Sequence, residues 1–228
     1  NAGASAAGQI LLTSGGSDDT MALSATGAGI VLRTDGSTDA AVTIGLPVED
    51  AGVDEDLTIN SGTGGNVTIN ATIGSADPIG LLQISGNNVD FEANVDAARI
   101  RVSGQSTIGV DDDNTGNTVT LDINGVASSF DSPAMDADNA STAAIIDSVG
   151  GVSLLLRPLA AGTAFSVGDD ANGGTTEVSD DLLEAVAGTV TLTEIGYDAA
   201  QYDTPADQSG TITIDSTGAL GFAAPLTV

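Results

Sequence analysis

The chain lacks several residue types on which common chemistries depend. Its 228 residues include no Cys, no His and no Lys, and four Arg stand against 32 Asp and Glu, for a formal net charge of −28. Without Cys, disulfides and thiolate metal sites are excluded. Without His or Lys, the Ser–His, Cys–His and Ser–Lys arrangements of nucleophilic catalysis are excluded too. We therefore predict that the chain is not an enzyme.

The shortage of basic residues also limits the partners. Nucleic acid is excluded as a partner, because phosphate contacts require basic side chains. No stretch approaches eighteen consecutive apolar residues, so the sequence predicts no membrane span. Divalent cations, salt-rich water and cationic partners suit such a surface, since ions screen its self-repulsion.

Aromatic residues are scarce, at 3% of the chain, although hydrophobic residues make up 41%. The apolar content is therefore mostly Ala, Val, Ile and Leu. A core of small aliphatic and β-branched side chains suits stacked strands better than a bulky globular centre.

A short apolar–polar–apolar unit, closed off by Gly, Asn, Asp or Ser, returns throughout the chain. Its alternation is typical of a strand with one buried face, and each unit is too short to be stable alone. The clearest units begin at Ile30, Val42, Leu57, Val67, Leu82, Val89, Ile100, Val119, Val190 and Ile212.

Near-regular spacing of these strands indicates a repeat architecture. Consecutive pairs of strands span roughly twenty to twenty-five residues, the length of one coil of a two- or three-sided β-solenoid. We predict an all-β, parallel β-solenoid. The alternative is antiparallel β-sandwich domains, for which hairpin dipeptides such as Asn124-Gly125 and Asn172-Gly173 would mark the turns.

The rhythm divides the chain into three parts. Residues 1–125 and 152–228 read as solenoid coils, and 126–151 as an irregular loop, short helix or insertion. Helical signals are scarce, but Asp180–Val186 predicts one helical turn with an Asp cap. The chain begins at Asn1 rather than Met, and we expect it to be a mature or excised piece of a longer secreted precursor.

Two stretches resemble a known family. Gly64–Gly74, continuing to Leu81–Gly86, and Ser179–Gly196, followed by Ser209–Ile214, are similar to the "beta strand repeat" segments of giant bacterial surface proteins of the filamentous-haemagglutinin-like type. The resemblance implies a right-handed parallel β-helix, secretion, and roles in adhesion, surface layers or extracellular filaments. It supplies no catalytic residues.

Calcium is the candidate cofactor, because hard cations prefer several oxygen ligands on turns. Two clusters place carboxylates beside an amide in this way. The first consists of Asp111, Asp112, Asp113 and Asn114, and the second of Asp169 and Asp170, followed by Asn172. N-glycosylation sequons begin at Asn66, Asn70 and Asn139.

These features predict an extracellular or cell-surface structural protein that self-assembles into a filament or surface layer. A solenoid ends in open strand edges, which a further copy or a neighbouring segment of a longer chain can extend. The alternative is an adhesin segment that binds a glycan or protein through its loops, namely the inserts near Pro47 and Pro78 and the segment 126–151.

Overall fold

All paired strands in the part of the chain that the structure describes run parallel. The computed structural model describes residues 8–13, 16, 19–24, 29–35, 39–52, 54–111, 118–137, 144–168, 177–196, 208–215 and 225–228. Within these ranges lie β1 Ile10–Thr13, β2 Met21–Leu23, β3 Ile30–Arg33, β4 Val42–Gly45, β5 Val48–Asp50, β6 Leu57–Asn60, β7 Val67–Ile69, β8 Ile79–Phe91, β9 Val95–Val110, β10 Val119–Ile123, β11 Ser128–Asp131, β12 Ala134–Ala137, β13 Ala144–Asp147, β14 Ser153–Arg157, β15 Phe165–Gly168, β16 Glu177–Ser179, α1 Asp180–Ala185, β17 Leu192–Ile195, β18 Ile212–Asp215 and β19 Leu226–Thr227. Since every pairing among them is parallel, the prediction of a parallel solenoid is confirmed and the antiparallel alternative is wrong.

The chain winds through three rows of stacked strands. The first row stacks β1, β4, β7, the ends of β8 and β9, and β12. The second row contains β2, β5, the start of β9, β10 and β13, with bridges through Ile73 and Val186. The third row contains β3, β6, the first half of β8, the middle of β9, β11, β14, β17 and β19. One passage through the first, second and third rows, in that order, is called a rung below.

The register fixes the length of a rung. In the first row Val42 pairs with Val67 and Val67 with Val89, so that 25 and then 22 residues complete a turn. This length agrees with the coil length expected from the sequence. Residues that share a register position therefore form continuous ladders along the solenoid.

Side chains alternate between a buried inner face and an outer face. Val42 and Ile44 of β4, like Leu57 and Ile59 of β6, are completely buried, while the residues between them are partly exposed. Two aromatic rings, Phe91 and Phe130, stack inside the core with centroids 6.5 Å apart. The core is thus a narrow column of aliphatic ladders, and each rung is covered only by the rungs beside it.

The segment 126–151, expected to be irregular, contains β11, β12 and β13 in their proper rows. Its pattern is obscured by serines at inward positions. Ser128 is completely buried, and its Oγ accepts a hydrogen bond from Ile100 N at 2.9 Å. The described strands therefore continue across this segment, while the division of the chain into residues 1–125, 126–151 and 152–228 stays a prediction.

The insert near Pro47, expected to be a loop, contains β5. Asp50 interrupts the alternating pattern that identifies a strand in the sequence, because a carboxylate stands at a buried position that is normally apolar. Its carboxylate accepts hydrogen bonds from Gly52 N at 2.8 Å and Glu55 N at 3.2 Å. Burial raises the pKa of Asp50, but the hydrogen bonds outweigh it and hold the pKa below its usual value. A buried carboxylate is tolerated here because the turn satisfies it.

The later rungs depart from sequential stacking. In the first row Met135 pairs with Val178 of β16, and Val178 pairs with Val167 of β15. The later strand β16 therefore lies between β12 and the earlier strand β15. β18 then pairs with the other edge of β15.

Helix α1 occupies the turn that follows β16. Its N-cap is Ser179, whose Oγ accepts a hydrogen bond from Leu182 N at 3.0 Å, so the expected Asp cap is wrong. Asp180 and Asp181 lie in the first turn, where a carboxylate interacts favourably with the helix dipole. Leu182 and Leu183 are buried in the core column.

Candidate functional site

The predicted calcium ligands fall largely outside the described residues. This applies to Asp112, Asp113, Asn114, Asp169 and Asp170. Asp111 is described: it is buried, has a φ of 53°, and its N–H donates to Phe91 O at 2.8 Å. Within the described ranges no three acidic side chains are grouped so as to hold a metal ion. Calcium binding by the two clusters stays a prediction.

Two of the three sequon asparagines lie on the surface. Asn66 precedes β7 and Asn70 follows it, and both are exposed. Asn66 Oδ1 accepts a long hydrogen bond, 3.4 Å, from Asn88 N. Asn139 lies outside the described residues. Glycosylation at the three positions stays a prediction.

The first rung, β1 to β3, has strand partners on one side only among the described strands. β1 pairs with β4, β2 with β5 and β3 with β6, and no described strand lies against their other edges. Ile10 N donates to Ala41 O at 3.1 Å, toward β4. Because successive residues of a parallel strand direct their amides to opposite sides, the next amide, that of Leu11, points toward the open edge.

The apolar side chains of this rung are less buried than those of the interior. The inward residues Ile10, Leu12, Met21, Ile30 and Leu32 are partly buried against the core. Their partners in the next rung, such as Val42 and Ile44, are completely buried. Within the described part of the chain, the first rung therefore combines backbone groups that have no strand partner with incompletely covered apolar side chains.

All four arginines lie on the outer face of the third row. Arg33 belongs to β3, Arg99 and Arg101 to β9, and Arg157 to β14. Arg157 holds Asp131 with two hydrogen bonds, from Nε to Oδ1 at 2.6 Å and from Nη2 to Oδ2 at 3.0 Å. Burial raises the pKa of Asp131, and the ion pair offsets only part of that effect.

A ladder of three carboxylates lies on the outer face of the second row. Asp96 pairs in register with Asp122, and Asp122 with Asp147, on three successive rungs. Burial raises the pKa of Asp96, and repulsion from Asp122 raises it further, while a 2.9 Å hydrogen bond from Asn124 Nδ2 offsets part of the effect. We call these residues the aspartate ladder. Its like charges destabilise one another.

A polar groove of about 150 Å³ lies on the outer face of the first row. It is lined by amide, hydroxyl and carboxylate side chains, among them Asn66, Thr68, Asn88, Asp90 and Thr107. Thr107 Oγ1 donates to Asn88 Oδ1 at 3.1 Å, which links the side chains of two neighbouring rungs. Such a surface offers hydrogen-bond donors and acceptors without a large apolar wall.

The alternating strand pattern predicts neither the grouping of the four arginines on one face nor the aspartate ladder, because the members of each group are distant in sequence. The spacing of the aspartates along the sequence is the signal that could have revealed the ladder. Asp96, Asp122 and Asp147 are separated by 26 and 25 residues, which is the length of a rung. Residues one rung apart become neighbours on the surface.

The described residues form a parallel β-solenoid whose first rung has described strand partners on one side. The arginines lie on the outer face of its third row and the aspartate ladder on that of its second row. No protein-family model, curated protein or solved structure matches the chain. Its resemblance to bacterial beta-strand repeats therefore stays a prediction. No helix in the described ranges is both long and apolar enough to cross a membrane.

Proposed function

We propose that this chain is an extracellular structural protein whose solenoids join end to end in a filament or surface layer. The observation that carries the proposal is the first rung, whose strands pair on one side and whose inward side chains are incompletely covered. An exposed strand edge is a template for pairing with another chain. Stacking a further rung would bury both the backbone groups and the apolar side chains.

A second copy is the occupant that suits this edge. At the opposite end of the first and third rows, β18 pairs with β15 and β19 with β17, each through one edge among the described strands. Head-to-tail stacking of identical solenoids keeps every strand parallel, which is the pairing used throughout the molecule. A contact between two different surfaces of identical copies propagates into an open filament unless its rotation closes a ring.

The extracellular location rests on the resemblance given above and on the Lys-free surface rich in Asp, Thr and Ser. The net charge of −28 keeps copies apart where no specific contact holds them. Divalent ions are expected to strengthen assembly by screening or bridging carboxylates.

Electron microscopy of negatively stained protein tests the proposal, with two variants of β1. Leu12→Glu places a charge at an inward position of the open rung, and Leu11→Glu places the same charge on its outer face, where Leu11 is 56% exposed. We expect filaments or sheets of wild-type protein and of Leu11→Glu, and rods no longer than a single molecule from Leu12→Glu, with thermal melts confirming that both variants fold. Isolated rods of the wild-type protein at all concentrations, with and without calcium, would contradict the proposal.

The polar groove of the first row favours a second candidate, an adhesin segment that binds a glycan. Amides and hydroxyls on adjacent rungs, such as Asn66, Asn88 and Thr107, are suited to hydrogen bonds with sugar hydroxyls. A glycan array with wild-type protein and Asn88→Ala discriminates the two functions. Glycan binding that Asn88→Ala abolishes, by protein that forms no filaments, would favour the adhesin.

A further inference from the structure

Positive charge is confined to a single face of this strongly acidic molecule. Arg33, Arg99, Arg101 and Arg157 are all the cationic side chains of the chain, and register places each at an outward position of the third row. The outer faces of the first and second rows carry no Arg. The third row is therefore where an acidic partner meets the least repulsion.

Two of the four arginines are neutralised within the chain. Arg33 donates to Asp35 through Nε at 2.8 Å, and Arg157 donates to Asp131 through Nε at 2.6 Å. These are the ion pairs of the described residues.

Arg99 and Arg101 lie two residues apart on β9 and take part in neither ion pair. Arg99 Nε donates to a backbone oxygen, Ala127 O, at 3.0 Å. Burial lowers the pKa of Arg99, and repulsion from Arg101 lowers it further. Arg101 is exposed, and its register neighbours, Gln83 and Ser129, are uncharged. Among the described residues neither arginine forms an ion pair, and the carboxylate on which the charge of Arg101 acts, Asp131, is already held by Arg157.

The aspartate ladder shows the opposite imbalance. Asp96, Asp122 and Asp147 place three carboxylates on consecutive rungs of the second row, which has no cationic side chain. Their described hydrogen-bond donors are neutral: Asn124 donates to Asp96, and Ser148 N and Thr189 Oγ1 donate to Asp147. Each surface therefore carries repulsion that the other would relieve.

We propose that Arg99 and Arg101 of one copy bind the aspartate ladder of a second copy, which places solenoids side by side. The contact joins the third row of one copy to the second row of another. Because these are different surfaces, the copy that contributes its arginine pair keeps a free ladder, and the copy that contributes its ladder keeps a free arginine pair, so further neighbours can be added. The inference adds a lateral contact to the end-to-end joining proposed above, and it rests on a separate surface.

A second copy explains the two surfaces together, whereas an unrelated anionic polymer explains only the arginine pair. At about 150 mM salt the screening length is about 8 Å, so repulsion between the distant charges of two rods is largely screened while contact pairs persist. Complementary charges of this kind set which surfaces meet and in which orientation.

Sedimentation of the full chain at this salt concentration tests the lateral contact, in a Leu12→Glu background that removes end-to-end joining. The test variant is Arg99→Gln with Arg101→Gln, and the matched control is Arg33→Gln, which removes an arginine of the same row that is already paired. We expect side-by-side association that the control retains and the double variant weakens about tenfold or more. Asp122→Asn should weaken it in the same direction.

Reversing the charge on each of the two surfaces gives a second test of the lateral contact. Arg101→Asp and Asp122→Arg chains should associate better when mixed than either does alone. The lateral contact would be overturned if the Leu12→Glu chain with both surfaces intact remained monomeric. It would also be overturned if the Arg99→Gln, Arg101→Gln variant associated as strongly as the Arg33→Gln control. Arginine-dependent binding of polyglucuronate without self-association would assign the patch to an anionic polymer instead. End-to-end filaments of normal length from the Arg99→Gln, Arg101→Gln chain would still support the proposed function.

Discussion

Strands β1 and β4 have similar alternating patterns but different environments. They are neighbours in the first row, and Ile10 and Leu12 face the same ladders as Val42 and Ile44. The interior pair is completely buried, whereas the end pair is only partly buried. In this fold burial is conferred by the next rung, not by the strand itself. The same sequence unit therefore serves as core inside the solenoid and as a contact surface at its end.

The largest effect is expected at the centre of the interior. Phe130→Ala removes a completely buried ring that stacks on Phe91. We expect a loss of about 3–5 kcal/mol in the free energy of unfolding, because the narrow column collapses poorly around a cavity. Urea denaturation measures it, with Val31→Ala on the outer face as the control. A loss no larger than that of the control would show that the core column is loosely packed.

The end and the interior are compared most directly by Leu12→Ala and Ile44→Ala, which lie in register. Ile44→Ala should cost about 2–5 kcal/mol, and Leu12→Ala less than half as much in dilute protein, because its site is already partly open. Urea denaturation of both variants gives the ratio. Equal losses would mean that the first rung is as well covered as the second.

The two ion pairs of the third row should also differ in their contribution to stability, with the interior pair contributing more than the pair on the first rung. Arg157→Gln leaves the carboxylate of Asp131 without its two hydrogen bonds, and we expect a loss of about 1–2 kcal/mol. Arg33→Gln removes a solvent-exposed pair with Asp35 on the first rung and should have no measurable effect. Thermal melts of the two variants test the difference, and a larger loss for Arg33→Gln would reverse it.

The smallest effect concerns the aspartate ladder. The pKa of Asp96 is raised in the folded state, so ionising this carboxyl lowers the free energy of unfolding. The lost stability is regained as the pH falls through the folded-state pKa and the carboxyl becomes protonated. Asp96→Asn should therefore be more stable than wild type near neutral pH, by a few tenths of a kcal/mol since the ladder is partly exposed and screened. The difference should vanish below the ordinary Asp pKa of about 3.9.

Thermal melts across this pH range, with the exposed Asp77→Asn as control, test the sign. An Asp96→Asn chain that is less stable than wild type at neutral pH would show that the hydrogen bond from Asn124 depends on the charge.

The sequence predicts the regular rungs well because their inward positions are aliphatic. Strands at Val42, Leu57 and Val67 follow from alternation alone. Prediction fails where polar residues take inward positions, as Asp50 does in β5 and Ser128 does in β11, since only tertiary hydrogen bonds make them compatible with burial. It also fails for the order of β15 and β16, because alternation does not encode which strand stacks on which.

The candidate surfaces were predictable only in part. A solenoid exposes strand edges at its ends unless something covers them, and this property of the fold predicts self-assembly. The pairing of Arg99 with Arg101 as neighbours follows from alternation, but the grouping of Asp96, Asp122 and Asp147 requires the register. The predicted metal clusters rested on adjacency in sequence, which says little about what neighbouring rungs bring together.

Amide hydrogen exchange of residues 10–13 and 42–45, in dilute and in concentrated protein, tests whether the first rung is the surface through which solenoids join. We predict that the amide of Leu11 exchanges fast in dilute protein, and slows toward the rate of the β4 amides as the protein assembles. The β4 amides should be protected at both concentrations. Fast exchange at Leu11 in assembled protein, or full protection in dilute protein, would contradict the account.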